Sequence, residues 1–148
     1  MSMQDIFREI GRSAALSLRQ EADGLTGTEI IRREVSVPDF DPQKDYSAWP
    51  AGAPVRDGGQ VWVLLQPYNA ANYTGRPADL RALWGLCHTT DPDRAKAWVE
   101  PLGTSGMYMQ GECYSAEDGT VYRALQDNLV YTAEAYPSGW EKVQKEGS

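Results

Sequence analysis

Gly59-Gln60-Val61-Trp62-Val63-Leu64-Leu65 and, further along the chain, Gly119-Thr120-Val121-Tyr122-Arg123-Ala124-Leu125 share one frame, Gly-x-Val-aromatic-x-x-Leu. Gly119, Tyr122 and Leu125 follow Gly59, Trp62 and Leu65 by the same 60 residues, and Pro137 follows Pro77 by 60 as well. A constant offset of this kind marks a tandem duplication. Upstream, Trp49, Gly52 and Val55 have the spacing of Tyr108, Gly111 and Tyr114, and downstream each copy closes on a tryptophan, Trp84 or Trp140. The lead-ins also correspond, Phe40-Asp41-Pro42 with Trp98-Val99-Glu100-Pro101.

Asp57-Gly58-Gly59 and Glu117-Asp118-Gly119 are turn signals, because glycine accepts positive φ and aspartate bonds its own backbone. The runs on either side should pair as hairpins. Val61 to Leu65 and Val121 to Leu125 are short and rich in strand formers, and a third strand in each copy should carry the closing tryptophan. The expected fold is therefore mainly β with an N-terminal α-helix, its body two small three-stranded antiparallel modules in tandem. Units this small bury little surface and rely on a few large rings.

Gly111-Glu112-Cys113-Tyr114, Gly119-Thr120-Val121-Tyr122, Pro137 and Trp140, and more loosely Gly52-Ala53-Pro54-Val55, Gly59-Gln60-Val61-Trp62, Pro77 and Trp84, resemble the chitinase-type carbohydrate-binding module. That small chitin-binding domain is appended to bacterial chitinases and cellulases. Asp127-Asn128 followed by Tyr136-Pro137-Ser138-Gly139-Trp140-Glu141 is similar to versions of the module in tail-associated proteins of phages and prophages. The resemblance runs from near Phe40 to Val143. It implies non-catalytic binding of a polysaccharide or bacterial cell-surface glycan, in a virion tail assembled in the bacterial cytoplasm and acting outside it. Where chitin-binding members carry adjacent exposed aromatics, this chain reads Leu125-Gln126-Asp127.

The net charge of −7 over 148 residues argues against nucleic acid and anionic membranes, which favour clustered lysine and arginine. Five tryptophans and eight tyrosines against two phenylalanines favour rings with a polar handle. Sugars use such rings: the C–H face of a pyranose stacks while its hydroxyls bond nearby Asn, Asp and Gln. The alternative is that the same rings form the core. Cys87, Cys113 and the single histidine, His88, fall short of a four-ligand zinc set, so no metal or cofactor is expected. A disulfide between the two cysteines is open. Adjacent residues on a strand point to opposite faces, so Cys87 and His88 make a poor nucleophile and base, and no enzyme is expected. The charged start, Met1 to Ile10, has no apolar run of a secretory leader, and no stretch is apolar enough for a membrane span.

Met3, Ile6, Phe7, Ile10, Ala14 and Leu18 recur at helical spacing, which predicts an amphipathic helix from Ser2 to about Ala22, ended by Gly24. Its stripe would serve homo-oligomerisation or attachment to other tail proteins, or else fold back over the repeats. Thr26-Gly27-Thr28-Glu29 has capping-box spacing and predicts a short helix over Glu29 to Glu34. Val35 to Tyr46 reads as an extended linker. The divisions are then a helical segment over 1–37, a first module over 38–88, a linker over 89–97, a second module over 98–143 and a tail over 144–148. The candidate sugar-stacking rings are Trp98, the foremost, with Tyr131 and Tyr136 in one loop, Tyr68 and Tyr73 in its counterpart, and Trp49.

Overall fold

The computed structural model describes residues 3–103 and 105–143; the expected tail over 144–148 lies outside them. Side chains at 4, 5, 7–12 and 23 are also outside the description, and with them the predicted stripe positions Phe7 and Ile10.

Among the described residues the chain is mainly β. It begins with two helices, α1 over Met3–Glu21 and α2 over Gly27–Arg32. At 1.5 Å per residue α1 spans about 28 Å. The Thr26 capping box is formed in full: the Thr26 side chain accepts from Glu29 N–H, and the Glu29 carboxylate accepts from Thr26 N–H at 3.2 Å. The helix starts two residues earlier than the predicted Glu29, because Thr26 is the cap and the helix begins at the next residue.

The first sheet joins β1 (Pro54–Asp57), β2 (Gln60–Leu64) and β3 (Trp84–Leu86) in antiparallel order. Val55 pairs with Trp62, and Leu64 with Trp84. Gly58 and Gly59 both take positive φ, 61° and 79°, closing the hairpin as the Asp-Gly-Gly signal requires. Alternation along β2 sorts its side chains onto two faces. Trp62 and Leu64 join Phe40, Tyr46, Val55, Tyr68 and Trp84 in an aromatic core. Val61 packs with Leu18, Ala22, Ile30, Ile31 and Val37, and Val63 packs against the same cluster. The C-terminal end of α1 thus folds back onto the first sheet, while Met3 and Ile6 near its start remain exposed.

The second sheet has four strands rather than the expected three. To β5 (Cys113–Ser115), β6 (Val121–Ala124) and β7 (Trp140–Val143) it adds β4 (Lys96–Ala97), parallel to β5. The last two residues of the segment expected to be a linker over 89–97 therefore belong to the sheet, and Gln60 of the first module donates its side-chain amide to the Ala97 carbonyl at 3.0 Å. Val35 to Tyr46 likewise is no plain linker. Asp39 bridges Arg56 in parallel as Ala97 does Ser115, and Phe40 and Tyr46 are core residues.

The duplication holds in the hydrogen bonds. Gly52 N–H donates to Leu64 O at 2.7 Å and Gly111 N–H to Ala124 O at 2.9 Å, both glycines at φ 92°. The equivalent of Tyr108, however, is Tyr46 rather than Trp49. Tyr46 N–H donates to Tyr68 O at 2.8 Å as Tyr108 N–H does to Leu129 O at 3.0 Å, and both rings are fully buried. The first copy has extra residues between this tyrosine and the glycine, which shifts the spacing on which Trp49 was matched. Phe40 and Trp98 correspond as the lead-ins suggested, stacking on Tyr46 and Tyr108 at interplanar angles of 10° and 9°.

No helix of the described residues is long and apolar enough to cross a membrane. Because Tyr46 and Tyr108 fill equivalent centres, Tyr46→Ala and Tyr108→Ala should each cost about 3–5 kcal/mol. Trp49→Ala, at the rim, should cost less than either; urea denaturation followed by tryptophan fluorescence measures all three.

Candidate functional site

The six candidate rings fall into three groups. Tyr68 is core, 6% exposed, with its hydroxyl accepting from Trp84 Nε1 at 2.7 Å. It leaves no free face for a sugar, because the closing tryptophan needs an acceptor for its buried N–H and Tyr68 supplies it. Its neighbour Tyr73, 51% exposed, sets an edge against Tyr68 at 5.1 Å between centroids. Trp49 is half-buried and capped: the Arg19 guanidinium of α1 lies 4.4 Å from its ring centroid, with Lys44 at 5.5 Å. A sugar would have to displace a cation–π contact there.

Tyr131 and Tyr136, 61% and 36% exposed, are brought together around a depression of about 200 Å³ that also takes in Gln126 and Asn128. Asn128 adopts φ 61°, a left-handed conformation that asparagine tolerates better than most residues. The Tyr131 backbone is pinned from below, its carbonyl accepting from Trp140 Nε1 at 2.8 Å.

Trp98 lies in neither group. It stacks on Tyr108 at 4.9 Å, meets Tyr114 and Trp140 edge-on, and donates its indole N–H to Glu100 at 3.0 Å. The ring is nevertheless only partly buried, and it opens on a cleft of about 510 Å³. Tyr122, Thr132, Glu117, Asp118 and Glu134 share that cleft. Tyr122 was not singled out in the sequence. Its frame position matches that of Trp62, which is buried in the first module, and only tertiary packing distinguishes the two. The acids enter through the hairpin turn: Asp118 accepts from Thr120 N–H at 2.9 Å, which also holds its carboxyl below the usual range. The cleft thus combines two partly exposed rings with hydroxyl and carboxylate acceptors.

A larger cleft of about 680 Å³ is lined by residues of both modules, largely apolar side chains with His88, Cys87 and Glu112. The chemistry of these groups is muted. Burial lowers the His88 pKa to about 4, with its Nε2–H donated to Gly106 O at 3.0 Å, and the ring is stacked 3.7 Å from Tyr108. Burial pushes the Cys87 thiol up to about 12, so it stays protonated at neutral pH. Cys87 and Cys113 are both free thiols, buried in different sheets' surroundings rather than joined. Burial also raises the Glu112 carboxyl, against the Met109 N–H that favours its ionised form.

Comparison with protein-family models and with curated proteins finds no match for this chain.

His88 and Glu112 give opposing pH dependences. The folded state keeps His88 neutral, so its contribution is complete above pH 6.5 and is lost as pH falls towards 4, amounting to about 3 kcal/mol. Glu112, raised by burial, costs stability when ionised and relieves that cost as pH falls. Urea midpoints should therefore decline from pH 6.5 towards 4, and Glu112→Gln should steepen the decline by removing the compensation.

Proposed function

We propose that the chain is a non-catalytic glycan-binding protein, of the kind that phage or prophage tails carry, and that its binding site is the Trp98 cleft of the second module. The carrying observation is the pairing of two part-exposed rings, Trp98 and Tyr122, with Thr132, Glu117, Asp118 and Glu134 around one cleft. The rings offer flat faces for the C–H groups of a pyranose, and the carboxylates accept hydrogen bonds from its hydroxyls, more strongly than neutral acceptors do. Three carboxylates at one cleft repel uronic acids and phosphodiesters, so neutral or amino-bearing polymers are the favoured class. Tyr131 and Tyr136 extend recognition to a second, shallower contact. Binding per chain is weak, and display of several copies through α1 would strengthen it.

A second reading, a tail or assembly protein that binds no sugar, draws on two observations. Most of the large rings, including Tyr46, Trp62, Tyr68, Trp84, Tyr108 and Trp140, serve the core. Met3 and Ile6 on α1 are exposed apolar side chains available to a neighbour.

Retention of the purified chain on insoluble chitin, cellulose and bacterial peptidoglycan separates the readings. The expected result is retention on at least one polymer. Trp98→Ala should reduce it tenfold or more, about 1.4 kcal/mol, and Tyr131→Ala by a smaller factor. Circular dichroism of each variant checks that the fold persists. Failure of the folded wild-type chain to bind any of the three polymers turns the assignment to assembly.

A further inference from the structure

The two modules share a frame but treat its rings differently. In the second, Trp98 and Tyr122 are partly exposed and open on the cleft. In the first, the equivalent positions are Phe40 and Trp62, which are 5% and 2% exposed. Each lies under an arginine: the Arg76 guanidinium is 5.5 Å from the Phe40 ring centroid, and that of Arg81 is 5.1 Å from Trp62. Among the described residues no cation lies over Trp98 or Tyr122.

Both arginines are held in place. Arg76 forms a forked ion pair with Asp57, its Nε 3.0 Å from both carboxylate oxygens and Nη2 2.5 Å from one of them. Asp57 is the last residue of β1, at the hairpin corner, so its carboxylate is positioned by the tightest turn of the sheet. Arg81 donates Nε–H to Ala78 O at 3.0 Å and Nη2–H to Glu100 O at 3.3 Å. Bidentate and stacked arginines of this sort are not replaced by solvent-exposed lysine without loss of geometry. Both arginines come from the connection between second and third strands, residues 65–83. The corresponding connection of the second module, residues 125–139, is shorter and contributes Thr132 and Glu134 to the open cleft instead. The depression that remains over the first module is lined by Arg56, Arg76, Asp39, Asp57 and Glu34 around Phe40, a charged surface with no free ring face.

We infer that the duplicated modules have divided their roles: the second holds the single glycan site, and the first is a closed copy of that site, shut by Arg76 paired with Asp57 and by Arg81 over Trp62. This rests on the glycan-binding reading and assigns its stoichiometry and its residues. The first module then acts as the platform that carries the helices on one face and supports the second module at its end.

The test is calorimetric titration of the full chain with N-acetylchitohexaose, cellohexaose and soluble peptidoglycan fragments, alongside the indole N–H spectrum of its five tryptophans. The expected outcome is one site per chain, with the Trp98 signal moving and the Trp62 and Trp84 signals stationary. Arg76→Ala should leave affinity within twofold, while Trp98→Ala lowers it tenfold or more. Two sites per chain, a Trp62 shift as large as that of Trp98, or a fivefold loss in Arg76→Ala would overturn the division of roles while leaving glycan binding intact. Absence of heat with all three probes, together with no retention on the polymers, refutes the glycan reading and this inference with it.

Discussion

The backbone bond from Tyr46 to Tyr68, and its counterpart from Tyr108 to Leu129, holds a tyrosine ring at the centre of each module, and most other aromatic positions follow from it. A sheet of three or four short strands encloses no volume of its own, so something bulky must fill the space between its inner face and the loops that cross it. Around Tyr46 stand Phe40, Trp49, Tyr68 and Trp84; around Tyr108 stand His88, Trp98, Tyr114 and Trp140. Fully burying a ring of this size removes some 150–250 Å² from water, worth about 4–6 kcal/mol before entropy is charged against it. Each closing tryptophan also needs an acceptor for its indole N–H, and each copy finds a different one: the Tyr68 hydroxyl or the Tyr131 carbonyl.

The same requirement limits which rings can meet a ligand. A tyrosine or tryptophan at a strand position of the frame is drawn into the core unless the loops leave it uncovered. Trp98 remains partly open because it enters from β4, at the edge of the sheet, and stacks with one face on Tyr108. The free rings Tyr131 and Tyr136 sit in a loop, as does Tyr73. An edge or an uncovered loop frees Trp98, Tyr131 and Tyr136, whereas Tyr122, on the interior strand β6, is partly exposed only where the loops leave it uncovered.

Much of this was legible in the residues. The Gly-x-Val-aromatic-x-x-Leu frame, the Asp-Gly-Gly turn and the Thr-x-x-Glu cap each express a local rule of backbone geometry, and local rules survive folding. β4 was hidden because two residues carry no alternation. The match of Trp49 to Tyr108 failed because an insertion of a few residues between Tyr46 and Gly52 gave the wrong aromatic the right spacing. The different exposure of Tyr122 and Trp62 was invisible for another reason: it depends on how core and loops pack around each ring, with Arg81 from some 20 residues away lying over Trp62, which no periodicity records. Trp98 was legible as a lead-in aromatic placed ahead of the antiparallel strands, where the ring could be partly free.

The contact between modules carries a further meaning. His88, from the end of the first module, lies flat on Tyr108, the central ring of the second, and the Gln60 amide reaches across to β4. The second module thus completes its core with a ring from the first, and the two are packed against each other rather than strung on a flexible tether. For chains gathered through their helices, effective concentration at the target would then be set by fixed distances between clefts instead of linker length. An array of that kind would respond sharply to the spacing of repeats in a polymer and would gain little from a surface whose repeats fall out of step with it.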